Sequence, residues 1–75
     1  MNSEWVIKML RRADPYEIEE SVLLEEVREA YGRGGLGEFQ SALKALESDG
    51  LIVCIERKRT RDRFWKLTPR GRGEG

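Results

Sequence analysis

The chain contains no histidine and a single cysteine, has only two prolines and two each of Trp, Tyr and Phe, and carries no net charge across its 75 residues. Each shortage removes a class of chemistry. Without histidine there is no imidazole to relay a proton to a serine or cysteine nucleophile. With Cys54 alone, one chain closes no disulfide and assembles no zinc cluster, so neither a cofactor nor a metal is expected. No apolar run approaches the length of a membrane helix, and the N-terminus lacks the hydrophobic region of a signal peptide. The expectation is a soluble cytoplasmic protein with no membrane contact. Paired carboxylates are present, but a chain this short offers no room for a pocket that would perturb them, and no enzymatic activity is expected. A domain of this size has a small core and a thin stability margin, which pairing of two copies would widen.

What is present is charge, unevenly placed. Residues 1–50 hold six Lys and Arg against eleven Asp and Glu, five short of neutrality, while residues 51–75 hold eight against three, five in excess. A molecule divided in this way attracts a polyanion to one side and repels it from the other, so an encounter is oriented before contact.

The apolar spacing sets out the elements. Val6, Met9, Leu10 and Ala13 form a helical stripe over residues 3–13, with Ser3 placed to cap it and Arg11 and Arg12 suited to its C-terminal end. Asp14-Pro15 breaks that helix, because the residue before proline is pushed out of helical geometry. Tyr16-Glu17-Ile18-Glu19 alternates as a short edge strand or an extended connector would. A second helix is expected over roughly 22–31, capped by Ser21, its stripe made of Leu23 or Leu24, Val27, Ala30 and Tyr31. Gly32-Arg33-Gly34-Gly35 permits a tight turn into a third helix that buries Phe39, Ala42, Leu43 and Leu46 and ends at Asp49-Gly50. Backbone amides at the start of that helix, around Leu36 to Phe39 and helped by Arg33, also make a phosphate seat conceivable; the preferred reading is that the glycines only allow the turn.

The last third reads as a β-hairpin with a basic tip. If Ile55 faces Phe64, then Glu56 faces Arg63 and Arg57 faces Asp62, and each opposed pair contributes on the order of 0.2–1 kcal/mol to the ribbon. Lys58, Arg59 and Arg61 are left without acidic partners and are the first candidates for contact with an anion, followed by Arg57 and Arg63. Arg59-Thr60 lacks the glycine or asparagine of a two-residue turn, so a longer, mobile tip is expected. Trp65 and Phe64 are assigned to the core, the alternative being stacking on unpaired bases. Cys54 is read as an inert buried residue. Trp5 is read as half-buried, the alternative being an apolar strip with Met9 that pairs two chains.

The third helix with Leu43, Leu46 and Gly50-Leu51-Ile52, followed by Arg63-Phe64-Trp65-Lys66-Leu67-Thr68-Pro69-Arg70-Gly71-Arg72, resembles a winged helix-turn-helix domain. The nearest likeness is to PadR-like and MarR-like transcriptional regulators, with their "G-L-I" after the recognition helix and their "L-T-x-x-G" turn after the second wing strand. The resemblance covers residues 3–72 and implies an α+β fold: a three-helix bundle, a short strand and a C-terminal hairpin wing. The expected layout is a single domain over residues 1–70 with a flexible tail over 71–75. It implies that the third helix enters the major groove of double-stranded DNA and the wing touches the minor groove or backbone. On that helix Gln40, Ser41 and Lys44 are the candidate contacts, Gln40 suited to adenine and Lys44 to guanine or phosphate, whereas Glu38 would repel phosphate. Dimer surfaces in such regulators come from helices outside the winged core, which leaves the first helix and terminal segments for pairing here. A winged helix also serves as a protein-binding module, and the acidic first and second helices, with Glu17, Glu19, Glu20, Glu25, Glu26 and Glu29 between and along them, would suit that alternative.

Overall fold

The computed structural model describes residues 2–32 and 34–73. Its elements are α1 (Ser3–Ala13), β1 (Ile18–Glu19), α2 (Glu20–Tyr31), α3 (Leu36–Ser48), β2 (Ile52–Glu56) and β3 (Arg63–Leu67). The fold is α+β: three helices pack with a three-stranded antiparallel sheet of order β1-β3-β2. The expected edge strand exists, reduced to Ile18 and Glu19 against Trp65 and Phe64.

Both capping expectations shift by local chemistry. Asn2, not Ser3, caps α1: its side-chain oxygen accepts from the Glu4 N–H at 2.9 Å, and Ser3 is the first helical residue. Ser21 does not cap α2, which starts at Glu20; the Ser21 hydroxyl donates instead to the Glu19 carboxylate at 2.8 Å. The strand runs directly into this helix, so the capping position falls two residues earlier than the serine. α3 stops where expected, with Gly50 at φ 74 beyond its C-terminal end, a backbone angle that favours glycine.

The core unites the helices with the hairpin. Val6, Ile7, Met9 and Leu10 of α1, Leu23, Leu24 and Val27 of α2, and Phe39, Ala42, Leu43 and Leu46 of α3 close over Ile52, Trp65 and Leu67. Ala30 was expected within the α2 stripe but is exposed, because that stripe ends one turn earlier at Val27. Tyr31 is half-buried and stacks on Trp5, ring centroids 5.0 Å apart and planes 3° from parallel. Met9 lies in the core, so the apolar strip proposed for pairing two chains through Trp5 and Met9 is taken up within one chain.

The hairpin has the expected register: Ile55 faces Phe64 and Glu56 faces Arg63. Alternation sends Trp65 and Leu67 into the core and leaves Phe64 and Lys66 half-buried on the opposite face. Phe64 is therefore not a core residue. Cys54 is half-buried against the core.

Beyond β3 the chain stays attached to the body. Thr68 Oγ1 donates to the Gly50 carbonyl at 2.6 Å and accepts from the Gly71 N–H at 3.1 Å, and Arg72 Nε donates to Asp14 Oδ1 at 2.7 Å. Gly71 is buried, and a Cβ there would lie 2.0 Å from the Leu51 carbonyl oxygen. Gly71 and Arg72 are thus tied to the folded body, Gly73 lies on the surface, and Glu74 and Gly75 of the expected tail lie outside the described residues.

Candidate nucleic-acid interface

Five cations of the hairpin separate into two sets. Arg57 and Arg63 are held at the base of the tip, where β2 ends and β3 begins. The Arg57 guanidinium donates to the Glu17 carboxylate and lies over the Phe64 ring, 5.0 Å from its centroid. Arg63 Nε approaches Glu20 Oε1 at 3.5 Å, and its guanidinium lies 5.5 Å from the Trp65 ring centroid. Glu20 serves two partners, since the Trp65 indole N–H also donates to Oε1 at 2.9 Å. The Arg63 pKa is raised, first by a hydrogen bond with Cys54 and then by the Glu20 charge.

These partners replace the expected ones. Glu56 and Asp62 are not the ion-pair partners of Arg63 and Arg57; Glu20 and Glu17 are. The reason is topological. Arg63 opens β3, the central strand, which meets β1 as well as β2, while Arg57 lies over Phe64 of that strand and so reaches the chain around β1, where carboxylates stand on both sides of Ile18. Arg57 and Asp62 are joined instead through their backbones, the Arg57 N–H donating to the Asp62 carbonyl at 3.0 Å.

Lys58, Arg59 and Arg61 form the other set. All three are exposed, and among the described residues none of them forms an ion pair. The tip, residues 58–61, is closed by the Arg57–Asp62 bond, by the Arg61 N–H donating to the Arg57 carbonyl at 2.7 Å, and by the Asp62 N–H donating to Thr60 Oγ1 at 3.4 Å. Arg61 stands at φ 59, in the left-handed region. For a residue with a Cβ this conformation costs roughly 1–2 kcal/mol, and glycine or asparagine would sit there more easily.

On α3, Gln40, Ser41 and Lys44 are all exposed, as expected for its solvent face. Ser41 also lines a shallow groove with Ser3, Gly37 and Ala45, which directs it toward α1, while Gln40 and Lys44 lie one turn apart on the helix. Arg33, assigned to a phosphate seat, lies outside the described residues. At the turn itself, the Glu38 carboxylate lies 3.7 Å from where a Gly35 Cβ would stand, so the start of α3 already holds an anion of its own. That arrangement disfavours a phosphate there.

The reading of Trp65 as a stacking platform for bases fails on burial: the ring is fully covered, and Arg63 lies against it. Glu17 and Glu20, assigned from the sequence to an acidic surface for a protein partner, instead engage Arg57 and Arg63, a pairing that sequence reasoning missed. The alternation Tyr16-Glu17-Ile18-Glu19 was the available signal, because a strand there must pair with the hairpin to satisfy its backbone. Among the described residues no group of three His, Cys, Asp or Glu side chains is arranged to hold a metal ion, and no helix is long and apolar enough to cross a membrane.

In comparison with known proteins, no family model matches this chain and no curated protein matches it.

Proposed function

We propose that this protein is a winged-helix DNA-binding protein, of the kind that regulates transcription, and that the hairpin is its wing. The observation that carries the reading is the division of the hairpin cations: Arg57 and Arg63 stiffen the base, and Lys58, Arg59 and Arg61 remain exposed without ion pairs at the tip. Arginine at a left-handed position where glycine would be easier supports it further, since a charge is kept there against the backbone preference. The tip supplies backbone or minor-groove anchoring, and Gln40 and Lys44 supply weak major-groove readout.

Fluorescence anisotropy on labelled duplex DNA across a salt series tests this. With about four cations on phosphates, log affinity falls against log salt with a slope of roughly −3.6. A flat response rejects the proposal. Replacement of Gln40 or Lys44 changes preference among sequences rather than affinity for all of them.

One further observation favours a second reading, a protein-interaction module. A groove between α1, β1 and α2 is lined by Ile18, Val22 and Ala30, by Glu17, Glu19, Glu26 and Glu29, and by one cation, Arg12. A basic segment of a partner protein would suit it. Recovery of one stoichiometric protein with no retention on DNA at low salt selects this reading over the first.

A further inference from the structure

Two grooves of the body combine apolar walls with charge, and the charge differs in sign. The one between α1, β1 and α2 is lined by four glutamates and one arginine. The other, of about 380 Å³, runs along α1 and is closed on its far side by the C-terminal part of α3, by Leu51 ahead of β2 and by the turn after β3. Buried Ile7 and Leu46 and half-buried Leu51 form its floor. Lys8 and Arg11, one turn apart on α1, stand on one rim, and Arg70 stands on the other.

The turn after β3 is what brings Arg70 to α1. Its backbone packs on the Leu51 carbonyl at Gly71, where a Cβ would not fit, and the Thr68 hydroxyl and carbonyl accept from the Gly71 and Arg72 N–H groups. Arg70 is therefore held beside the groove, its Cδ 3.8 Å from where a Gly50 Cβ would stand. All three cations are exposed, and among the described residues none of them has an acidic partner. The one acid in the lining is Glu4, a turn before Lys8, so the groove is negative toward the start of α1 and positive at Arg11 and Arg70.

We propose that this groove binds a small anionic amphiphile, a carboxylate or phosphate head on a short apolar body. Arg11 and Arg70 meet the head, since planar guanidinium groups match its oxygens, and Ile7, Leu46 and Leu51 take the body. From Glu4 to Arg11 the helix rises about 10 Å, which sets the length of that body. The volume lies at the small end of the roughly 300–1,000 Å³ typical of small-molecule sites. Duplex DNA would use the cations and leave the floor uncovered. The groove lies at the opposite end of β3 from the hairpin tip and does not depend on the DNA reading.

An amide chemical-shift titration of the full chain by NMR, with octanoate as the probe, tests this. Saturable shifts are expected at Ile7, Lys8, Arg11, Leu51 and Arg70, with a Kd on the order of 1 mM. Inorganic phosphate and octanol, which supply only the head or only the body, bind at least about tenfold more weakly. Arg11→Gln/Arg70→Gln, at two exposed positions, raises the octanoate Kd by at least about tenfold while circular dichroism stays unchanged. The proposal is overturned by an absence of saturable shifts in the groove at about 10 mM octanoate, by octanol or phosphate binding as tightly, or by a double variant with the wild-type Kd. A smaller DNA salt slope in the double variant, with no octanoate bound by the wild type, assigns these cations to DNA instead.

Discussion

The base and the tip of the hairpin carry the same residue types, yet their surroundings differ in kind. At the base, Arg57 and Arg63 each have a carboxylate and an aromatic ring as neighbours. At the tip, Lys58, Arg59 and Arg61 have no ion-pair partner among the described residues. A count of charges along the sequence therefore overstates how many hairpin cations are left without an acidic partner. What distinguishes a structural arginine from an available one is the neighbouring strand, and the neighbour here is β1, distant in sequence.

The comparison can be broken first at its foundation. Trp65 is fully buried and holds the Glu20 carboxylate that also meets Arg63, so Trp65→Ala lowers stability by about 3–5 kcal/mol in urea unfolding and loosens the base with it. Next comes the tip. Replacement of Lys58, Arg59 and Arg61 together by alanine weakens binding to all duplex sequences by roughly two to three decades at about 0.1 M salt, with the thermal midpoint unchanged. Anisotropy and a melting curve on the same sample check both halves of that statement. Smaller is the effect of Gly71→Ala, whose Cβ meets the Leu51 carbonyl where the turn after β3 crosses the start of β2; a loss on the order of 2 kcal/mol is expected in thermal unfolding. The smallest belongs to Glu17→Ala. An exposed ion pair contributes about 1 kcal/mol or less, so stability hardly moves, while the released Arg57 gives a modest gain in DNA affinity. A loss of affinity in Glu17→Ala would mean that Arg57 needs its partner to reach DNA.

Much of the fold was legible because it rests on local pattern. Val6, Met9 and Leu10 of the α1 stripe, the four core positions of α3, its stop at Gly50 and the pairing of Ile55 with Phe64 all follow from spacings within one or two elements, whereas in α1 the buried Ile7 was missed and Ala13 is only half-buried. The misses share a different origin. Ser21 had the chemistry of a cap, but the strand before it begins the helix at Glu20. Asn2 was passed over in favour of the equally suitable Ser3 beside it. The ties at Gly71 and Arg72 depend on Thr68, Leu51 and Asp14, brought together only by the tertiary fold. The candidate interface was half legible: the tip cations were identified from their lack of sequence-opposed acids, whereas the true partners of Arg57 and Arg63 come from outside the hairpin.

The most direct test is the salt dependence of DNA binding in two variants measured side by side. Lys58→Ala/Arg59→Ala/Arg61→Ala should reduce the magnitude of the log–log slope by roughly 2.7, while Arg57→Ala/Arg63→Ala should leave it near the wild-type value. Equal slopes for wild type and the tip variant, or a larger change in the base variant, would contradict the division of the hairpin on which the functional reading rests.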